Sequence, residues 1–251
     1  MAILFQFVLR LCFGLALGMT LTSPRQVTSG YYRNHLYVLL GLSVLATMVA
    51  LGSPEQFPFA PPLVAAVASY LGAVAWLYEK PRAGLVFLAV VSAASIWGAV
   101  AANPPFPSGS PFHGVLAWVE PASSGLVLGI TIAAMFLGHW YLNTPTMAIG
   151  PLLRLVALMA AAVVLRGLVE GASLAGEVAA SGWPATDQLL FVALRWLSGI
   201  FGTLALAVMT WQTLKIPNTQ SATGILYVAV ITTFLGELTA MLLAAQSAIP
   251  T

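Results

Sequence analysis

The chain has 251 residues, of which 60% are hydrophobic and only 6% are charged, with a formal net charge of +2. Soluble domains carry about 25% charged residues, so this chain could not cover a water-facing surface and must be solvated mostly by lipid. The small net charge and the lack of basic runs exclude nucleic acid as a partner. Because Cys12 is the single cysteine, an internal disulfide and a cysteine metal cage are also excluded.

Eight apolar segments are long enough to cross a bilayer, which takes roughly 20 apolar residues. Turns rich in proline separate them. The predicted spans cover approximately 2–22, 34–53, 62–79, 84–102, 124–142, 150–170, 187–213 and 221–247. The sequence therefore predicts an all-α integral membrane protein with about eight transmembrane helices.

Lysine and arginine alternate along the connections between these spans. The basic residues of the odd connections are Arg25, Arg33, Lys80, Arg82, Arg154 and Lys215, and the acidic residues of the even connections are Glu55, Glu120, Glu177 and Asp187. Cytoplasmic loops are enriched in lysine and arginine, so the odd connections are predicted to be cytoplasmic and both termini to lie outside. A bacterial inner membrane is the expected location.

Two short words recur in the same order along the chain. They are GLALGMT at Gly14–Thr20 with GLVLGIT at Gly125–Thr131, and GLVFLAV at Gly84–Val90 with GILYVAV at Gly224–Val230. This pattern predicts a duplication into two parallel four-helix repeats, 1–122 and 123–251. The alternative is that such words recur by chance in a chain rich in glycine, alanine and leucine.

The first pair of words carries two Gly-x-x-x-Gly motifs, Gly14 with Gly18 and Gly125 with Gly129. In lipid, small residues four positions apart let two helix backbones approach closely. Spans one and five are therefore predicted to meet on a pseudo-twofold axis, or one of them to drive dimerisation. Ordinary packing against any neighbouring helix is the alternative.

Five ionisable residues fall inside the predicted spans: Arg10, Arg166, Glu170, Arg195 and Glu237. Such residues are expensive in a membrane and usually face the bundle interior or water. With a rise of about 1.5 Å per residue, all five fall in the outer half of the bilayer. Three of the four helices of the second half contribute, which predicts a specialised site in that half.

The same charges also allow a structural interpretation. Arg195 and Glu237 could form a buried pair that fixes helix register, while Arg10 and Arg166 extend outwards to the membrane surface. In either case Arg195 and Glu237 are expected within pairing reach, directly or through Arg166 or one water.

Two histidines, His35 and His139, are predicted at similar depths near the cytoplasmic face. Imidazoles on separate helices can be axial ligands of haem b or can hydrogen-bond a quinone. The alternative is that each lies in the lipid headgroup zone. His113 is predicted on the opposite face, so a three-histidine metal site is not expected, and no common catalytic motif is present.

The layout of eight spans is similar to that of quinone-handling membrane subunits of bacterial respiratory complexes, although no motif carries this resemblance. It implies a subunit of an electron-transfer or energy-converting complex that binds quinone or haem b and has other membrane or peripheral subunits as partners. One alternative is a small-solute or ion transporter that uses the charged residues as its site. Another is a non-catalytic scaffold or assembly subunit.

Overall fold

The computed structural model describes residues 1–103, 112–144, 146–183, 185–216 and 218–246, and these ranges are helical without any strand. The helices are α1 (Ala2–Thr20), α2 (Ser29–Gly52), α3 (Ala60–Leu77), α4 (Pro81–Ala101), α5 (Phe112–Asn143), α6 (Gly150–Ser181), α7 (Thr186–Leu194), α8 (Thr203–Lys215) and α9 (Thr219–Gln246). A π-helical segment, Arg195–Gly202, joins α7 to α8 without a break.

Within the described ranges, eight helices, with α7 to α8 counted as one, are long and apolar enough to cross a membrane. This confirms the prediction of an all-α, multi-pass membrane protein. The proline-rich turn predicted at Pro104–Pro111 and the last residue of the eighth predicted span lie outside the described residues.

Three predicted boundaries are wrong by more than a turn, the smallest difference being at the start of α2, which is Ser29 instead of about residue 34. The helix α5 begins at Phe112 instead of about residue 124, and α6 continues to Ser181 instead of about residue 170. Pro121 was taken as part of a connection, but α5 continues through it. Membrane helices tolerate an internal proline because neighbouring groups satisfy the backbone oxygen that it leaves unbonded.

The centre of the bundle is formed by α1 and α5. In the apolar 18-residue stretches of α1 and α5, 67% and 78% of the residues are buried, against 17% in that of the span Gln188–Lys215. Large apolar side chains cover the outside of the bundle, among them Met48, Val86, Leu190 and Ile231. A continuous apolar exterior is what a lipid solvent requires.

The two halves of the chain pack in the same order. In the first half α1 contacts α2 and α4, and α3 lies between those two; in the second half α5 contacts α6 and α9, and α8 lies between those two. The halves meet chiefly through α1 and α5, with smaller contacts of α4 with α5 and of α9 with α1. This order is what a duplication would produce, and the duplication itself remains a prediction.

Successive spans cross the bundle in opposite directions, which gives it two chemically different ends. The end at which α1, α3, α5 and α8 finish is called the basic end here, because it carries Arg25, Arg33, Lys80, Arg82, Arg154 and Lys215. The end at which α1 begins and α9 finishes is called the terminal end. Which of the two faces the cytoplasm remains a prediction.

Candidate functional site

The four glycines of the repeated words lie at one contact between α1 and α5. A methyl group added to Gly14 would overlap the backbone of Gly125, and one added to Gly129 would overlap the backbone of Gly14. A methyl group on Gly18 would stand 2.9 Å from the Cβ of Ala133. The missing side chains therefore allow the two helices to touch backbone to backbone, as the motifs predict.

This close contact brings two opposite charges together one turn towards the terminal end. Arg10 on α1 donates from Nη1 to Oε1 of Glu120 on α5 at 2.8 Å. A methyl group on Gly125 would stand 2.7 Å from the carbonyl oxygen of Arg10, so the glycine contact and the ion pair are parts of one interface.

Arg166 on α6 is the centre of the charged group. Its Nε and Nη2 donate to the two carboxylate oxygens of Glu237 at 2.9 and 3.0 Å. The same Nη2 lies 3.2 Å from Oε1 of Glu120 and 2.7 Å from Oε1 of Glu170. Since Nη2 carries two protons and faces three carboxylates, one of the three contacts is purely electrostatic. Arg166 is 1% exposed, so the protein alone provides its partners.

Arg195, at the start of the π-helical segment, forms an ion pair with Glu170. The charges thus alternate in the order Arg10, Glu120, Arg166, Glu170 and Arg195, with Glu237 as a branch at Arg166. These six residues are called the charge cluster below.

The structure connects Arg195 with Glu237 through Arg166 and Glu170, and no direct ion pair joins the two among the described residues. It does not support the structural alternative in which Arg10 and Arg166 reach outwards, because both side chains are buried and paired.

The charge cluster is balanced, with three arginines and three glutamates. A lone charge near the middle of a membrane is unfavourable by at least about 2.5 kcal/mol on insertion scales, and pairing offsets this. Neutral side chains on α5 complete the set: Ser124 donates to Oε2 of Glu237 at 2.6 Å, and Arg166 donates to Oγ of Ser123 at 3.2 Å. The charge cluster therefore connects five helical segments, namely α1, α5, α6, the π-helical segment and α9.

A polar path leads from the charge cluster towards the terminal end. Arg10 donates from Nε to Oε1 of Gln6 at 3.2 Å. Gln6 then donates to Oδ1 of Asn103 and to the carbonyl oxygen of Ala99, both at 2.9 Å. Glu120 is the most exposed carboxylate of the cluster, at 18% of its side chain. The cluster is therefore approached most easily from this side.

Sequence reasoning missed Glu120, which it assigned to the fourth connection. Two serines and Gln6 were missed as well, since neutral polar residues carry no comparable signal in a membrane span. A signal for Glu120 was available in the repeated words: aligned on Gly14 and Gly125, Glu120 corresponds to Leu9, well inside the first span.

The π-helical segment fits closely against α9. A methyl group on Gly199 would lie 2.9 Å from Cα of Gly236. These glycines are neighbours of Arg195 and Glu237, so the irregular helix and the charge cluster share one region. Irregular π-turns inside α-helices occur frequently at functional sites.

The two predicted histidines have different surroundings in the structure. His35 on α2 is buried against Phe136 and Tyr31, with ring centroids 4.4 and 4.5 Å away, and its Nδ1 lies 2.6 Å from the carbonyl oxygen of Tyr31. His139 is exposed and its Nδ1 lies 3.1 Å from the hydroxyl of Tyr227 on α9. No contact between the two imidazoles occurs within the described ranges.

His35 is enclosed by aromatic rings, while His139 is turned towards α9. Binding of haem b or quinone at these residues remains a prediction. His113 lies in the first turn of α5, and its side chain is outside the described residues. Among the described residues, no group of three or more histidine, cysteine, aspartate or glutamate side chains is arranged to hold a metal ion.

No protein-family model, no curated protein and no solved structure matches this chain. Fold and site together define a multi-pass membrane protein with a compact group of paired charges inside its helical bundle.

Proposed function

We propose that the protein is a proton-coupled transporter of small carboxylate-bearing solutes, and that the charge cluster is the site of coupling. The observation that supports this most strongly is the sharing of one guanidinium, that of Arg166, by the three carboxylates of Glu120, Glu170 and Glu237. Because Nη2 of Arg166 has only two protons for these three carboxylates, its hydrogen-bond partners can change.

Glu120 is the carboxylate best placed to take up the proton. Its Oε1 is shared by Arg10 and Arg166, and it is the most exposed of the three acids. Protonation of Glu120 would leave Arg10 and Arg166 facing a neutral group, and the cluster would carry one net positive charge. In a region of low dielectric constant such an imbalance is strongly unfavourable.

An anionic solute would remove this imbalance. Its carboxylate could take the place of Glu120 between the two guanidinium groups, which present planar, fork-shaped donors to such a group. Proton uptake and anion binding would then favour each other, because each alone leaves the cluster charged and both together leave it neutral. The hydrogen-bonded side chains from Gln6 to Asn103 provide polar groups on the side of the cluster from which the solute would enter.

Two other functions have less support. Electron transfer through a haem b rests on the pairing of His35 and His139, whose imidazoles make no hydrogen bond or ring contact with each other among the described residues, and a b-type band in a reduced-minus-oxidised spectrum would support it. A scaffold would also benefit from a fully paired charge cluster, but it would not need a shared and partly exposed carboxylate. We place the protein in the inner membrane of a bacterium with its basic end in the cytoplasm, in line with the distribution of lysine and arginine.

Proteoliposomes that contain a pH-sensitive dye test the coupling. Addition of succinate or glutamate should acidify the interior of liposomes that contain the protein, while chloride should not. Liposomes without protein, and liposomes with the Arg10→Gln variant, are the controls. Equal traces with the carboxylates and with chloride would contradict proton–anion coupling for these two probes.

A further inference from the structure

Three threonine hydroxyls converge where the π-helical segment passes into α8. Oγ1 of Thr203 lies 3.1 Å from Oγ1 of Thr232 and 3.2 Å from Oγ1 of Thr233. Thr203 and Thr233 are fully buried, both at 0% exposure. The three oxygens therefore form a compact polar group between two helices that are otherwise apolar at this level.

Two backbone carbonyl oxygens join this group. That of Ser198, inside the π-helical segment, lies 3.2 Å from Oγ1 of Thr203. That of Ala229 on α9 lies 3.0 Å from Oγ1 of Thr232. Successive contacts thus connect five neutral oxygens from two helices, and one of the two backbones is irregular there.

The number of hydroxyl protons is smaller than the number of contacts. Four oxygen–oxygen contacts of 3.0–3.2 Å connect the five oxygens, but only the three threonine hydroxyls carry protons. Whatever way the hydroxyls turn, one pair of oxygens faces each other without a hydrogen between them. Such an excess of lone pairs in a buried place is the environment that a cation satisfies.

The spacing and the charge indicate which cation fits. Oxygens that bind one small hard cation at about 2.4 Å stand roughly 3.4 Å apart when their bonds are perpendicular, close to the separations found here. All five oxygens are neutral, which favours a monovalent ion over Ca²⁺ or Mg²⁺, whose sites include carboxylates. In membrane transporters, irregular backbone carbonyls coordinate Na⁺ in the same way.

We propose that the hydroxyls of Thr203, Thr232 and Thr233, with the carbonyl oxygens of Ser198 and Ala229, form a Na⁺ site. Thr233 lies four residues before Glu237 on α9, about 6 Å along the helix axis. A bound Na⁺ therefore adds a positive charge next to the charge cluster. This site goes beyond the proposed function, because Na⁺ binding does not require that the cluster moves a proton or a carboxylate.

Thermal unfolding of the purified protein in detergent micelles tests the site. The midpoint is compared in sodium, potassium and N-methylglucamine chloride at equal ionic strength. A ligand that binds only the folded state stabilises it in proportion to ln(1 + [L]/Kd), so the midpoint should rise with Na⁺ and not with the other two cations. Equal midpoints in all three salts would overturn the proposal.

Substitution of single oxygens locates the effect. Thr203→Val and Thr233→Val each remove one ligand at nearly constant shape and should raise the Na⁺ concentration for half-maximal stabilisation about tenfold or more. Thr233→Ser keeps the oxygen and should respond as the wild type does. The matched controls are Thr210→Val and Thr239→Val, whose buried hydroxyls bond only to their own helices, at 2.8 and 2.7 Å.

Full retention of the Na⁺ response in both Thr203→Val and Thr233→Val would also overturn the proposal. If a fully buried substitution prevents purification, Thr232→Val provides the same test at a half-buried position. None of these results depends on whether succinate or glutamate is transported, so failure of the Na⁺ site and failure of the proposed function are distinguishable.

Discussion

Arg166 holds the carboxylate of Glu237 at two points, with Nε 2.9 Å from Oε1 and Nη2 3.0 Å from Oε2. This fork joins α6 to α9 at a level where both side chains are almost completely buried. The contact is charge-assisted at both points, which makes it the best-defined ion pair of the charge cluster. The rotation of α6 and α9 about their axes is fixed by it.

The first prediction concerns the loss of this central cation. Arg166→Leu leaves three buried glutamates with two arginines, and an unpaired buried charge costs roughly 3–5 kcal/mol. The free energy of unfolding should fall by that order in a denaturant titration. Arg154→Leu, on the exposed side of the same helix, is the control and should change it by less than about 0.5 kcal/mol. Equal effects of the two substitutions would contradict the central role of Arg166.

A second prediction separates partners from neighbours within the charge cluster. A double-mutant cycle between Arg195 and Glu170, which form an ion pair, should give a coupling energy on the order of 1 kcal/mol or more. The cycle between Arg195 and Glu237 should give a smaller value, because Arg166 and Glu170 stand between them. Leucine substitutions, single and paired, and denaturant titrations provide the measurement. The reverse order of the two coupling energies would contradict the pairing scheme.

The third prediction tests the contact of α1 with α5. Gly14→Ala and Gly129→Ala place a methyl group inside a neighbouring backbone, and such overpacking costs roughly 1–3 kcal/mol. Gly41→Ala on α2 is the matched control, since nothing lies within 4 Å of its added methyl group. It should be neutral or slightly stabilising, because alanine favours a helix by about 1 kcal/mol over glycine. Thermal unfolding of all three variants checks this.

The Arg10–Glu120 ion pair lies beside these glycines, so Gly14→Ala is expected to disturb this pair as well as the stability of the protein. If Gly14→Ala and Gly41→Ala unfolded at the same temperature, the backbone contact of α1 with α5 would not be present in solution.

The fourth prediction concerns the orientation in the membrane. Gln56→Cys lies in an exposed turn at the terminal end, and Asn218→Cys lies at the basic end. A membrane-impermeant thiol reagent should label the first in intact cells and the second only after permeabilisation. The native Cys12 is buried and should stay unlabelled. Labelling in the opposite order would reverse the orientation inferred from lysine and arginine.

The fold was predictable because the features that determine it are local patterns along the sequence. Apolar runs of span length and the prolines between them are visible in the sequence, and a bilayer admits few other structures for them. The start of α5 was predicted about three turns too late, and the helix continues through Pro121 because an internal proline is tolerated inside a membrane helix. The two Gly-x-x-x-Gly motifs predicted that spans one and five pack against each other, and the structure has this contact.

The charge cluster could be predicted only in part, for a physical reason. A charged residue in an apolar run stands out, and five of the six members were recognised in this way. Which carboxylate meets which arginine depends on the rotation of each helix about its axis, and a single sequence does not contain that information. Glu170 was therefore not recognised as the partner of Arg195, and the histidines were grouped by depth although they face different helices.

The most direct test of the central claim is the acidification of the interior of proteoliposomes that follows addition of succinate, recorded with an enclosed pH-sensitive dye. If Glu120 takes up the coupling proton, the wild type should acidify the interior and Glu120→Gln should not, while Glu55→Gln, changed at an exposed turn, should keep the response. The Glu120→Gln variant should still fold, because glutamine can accept a hydrogen bond from Arg10 or Arg166. Acidification of wild-type size in a folded Glu120→Gln protein, or none in the wild type, would contradict the account.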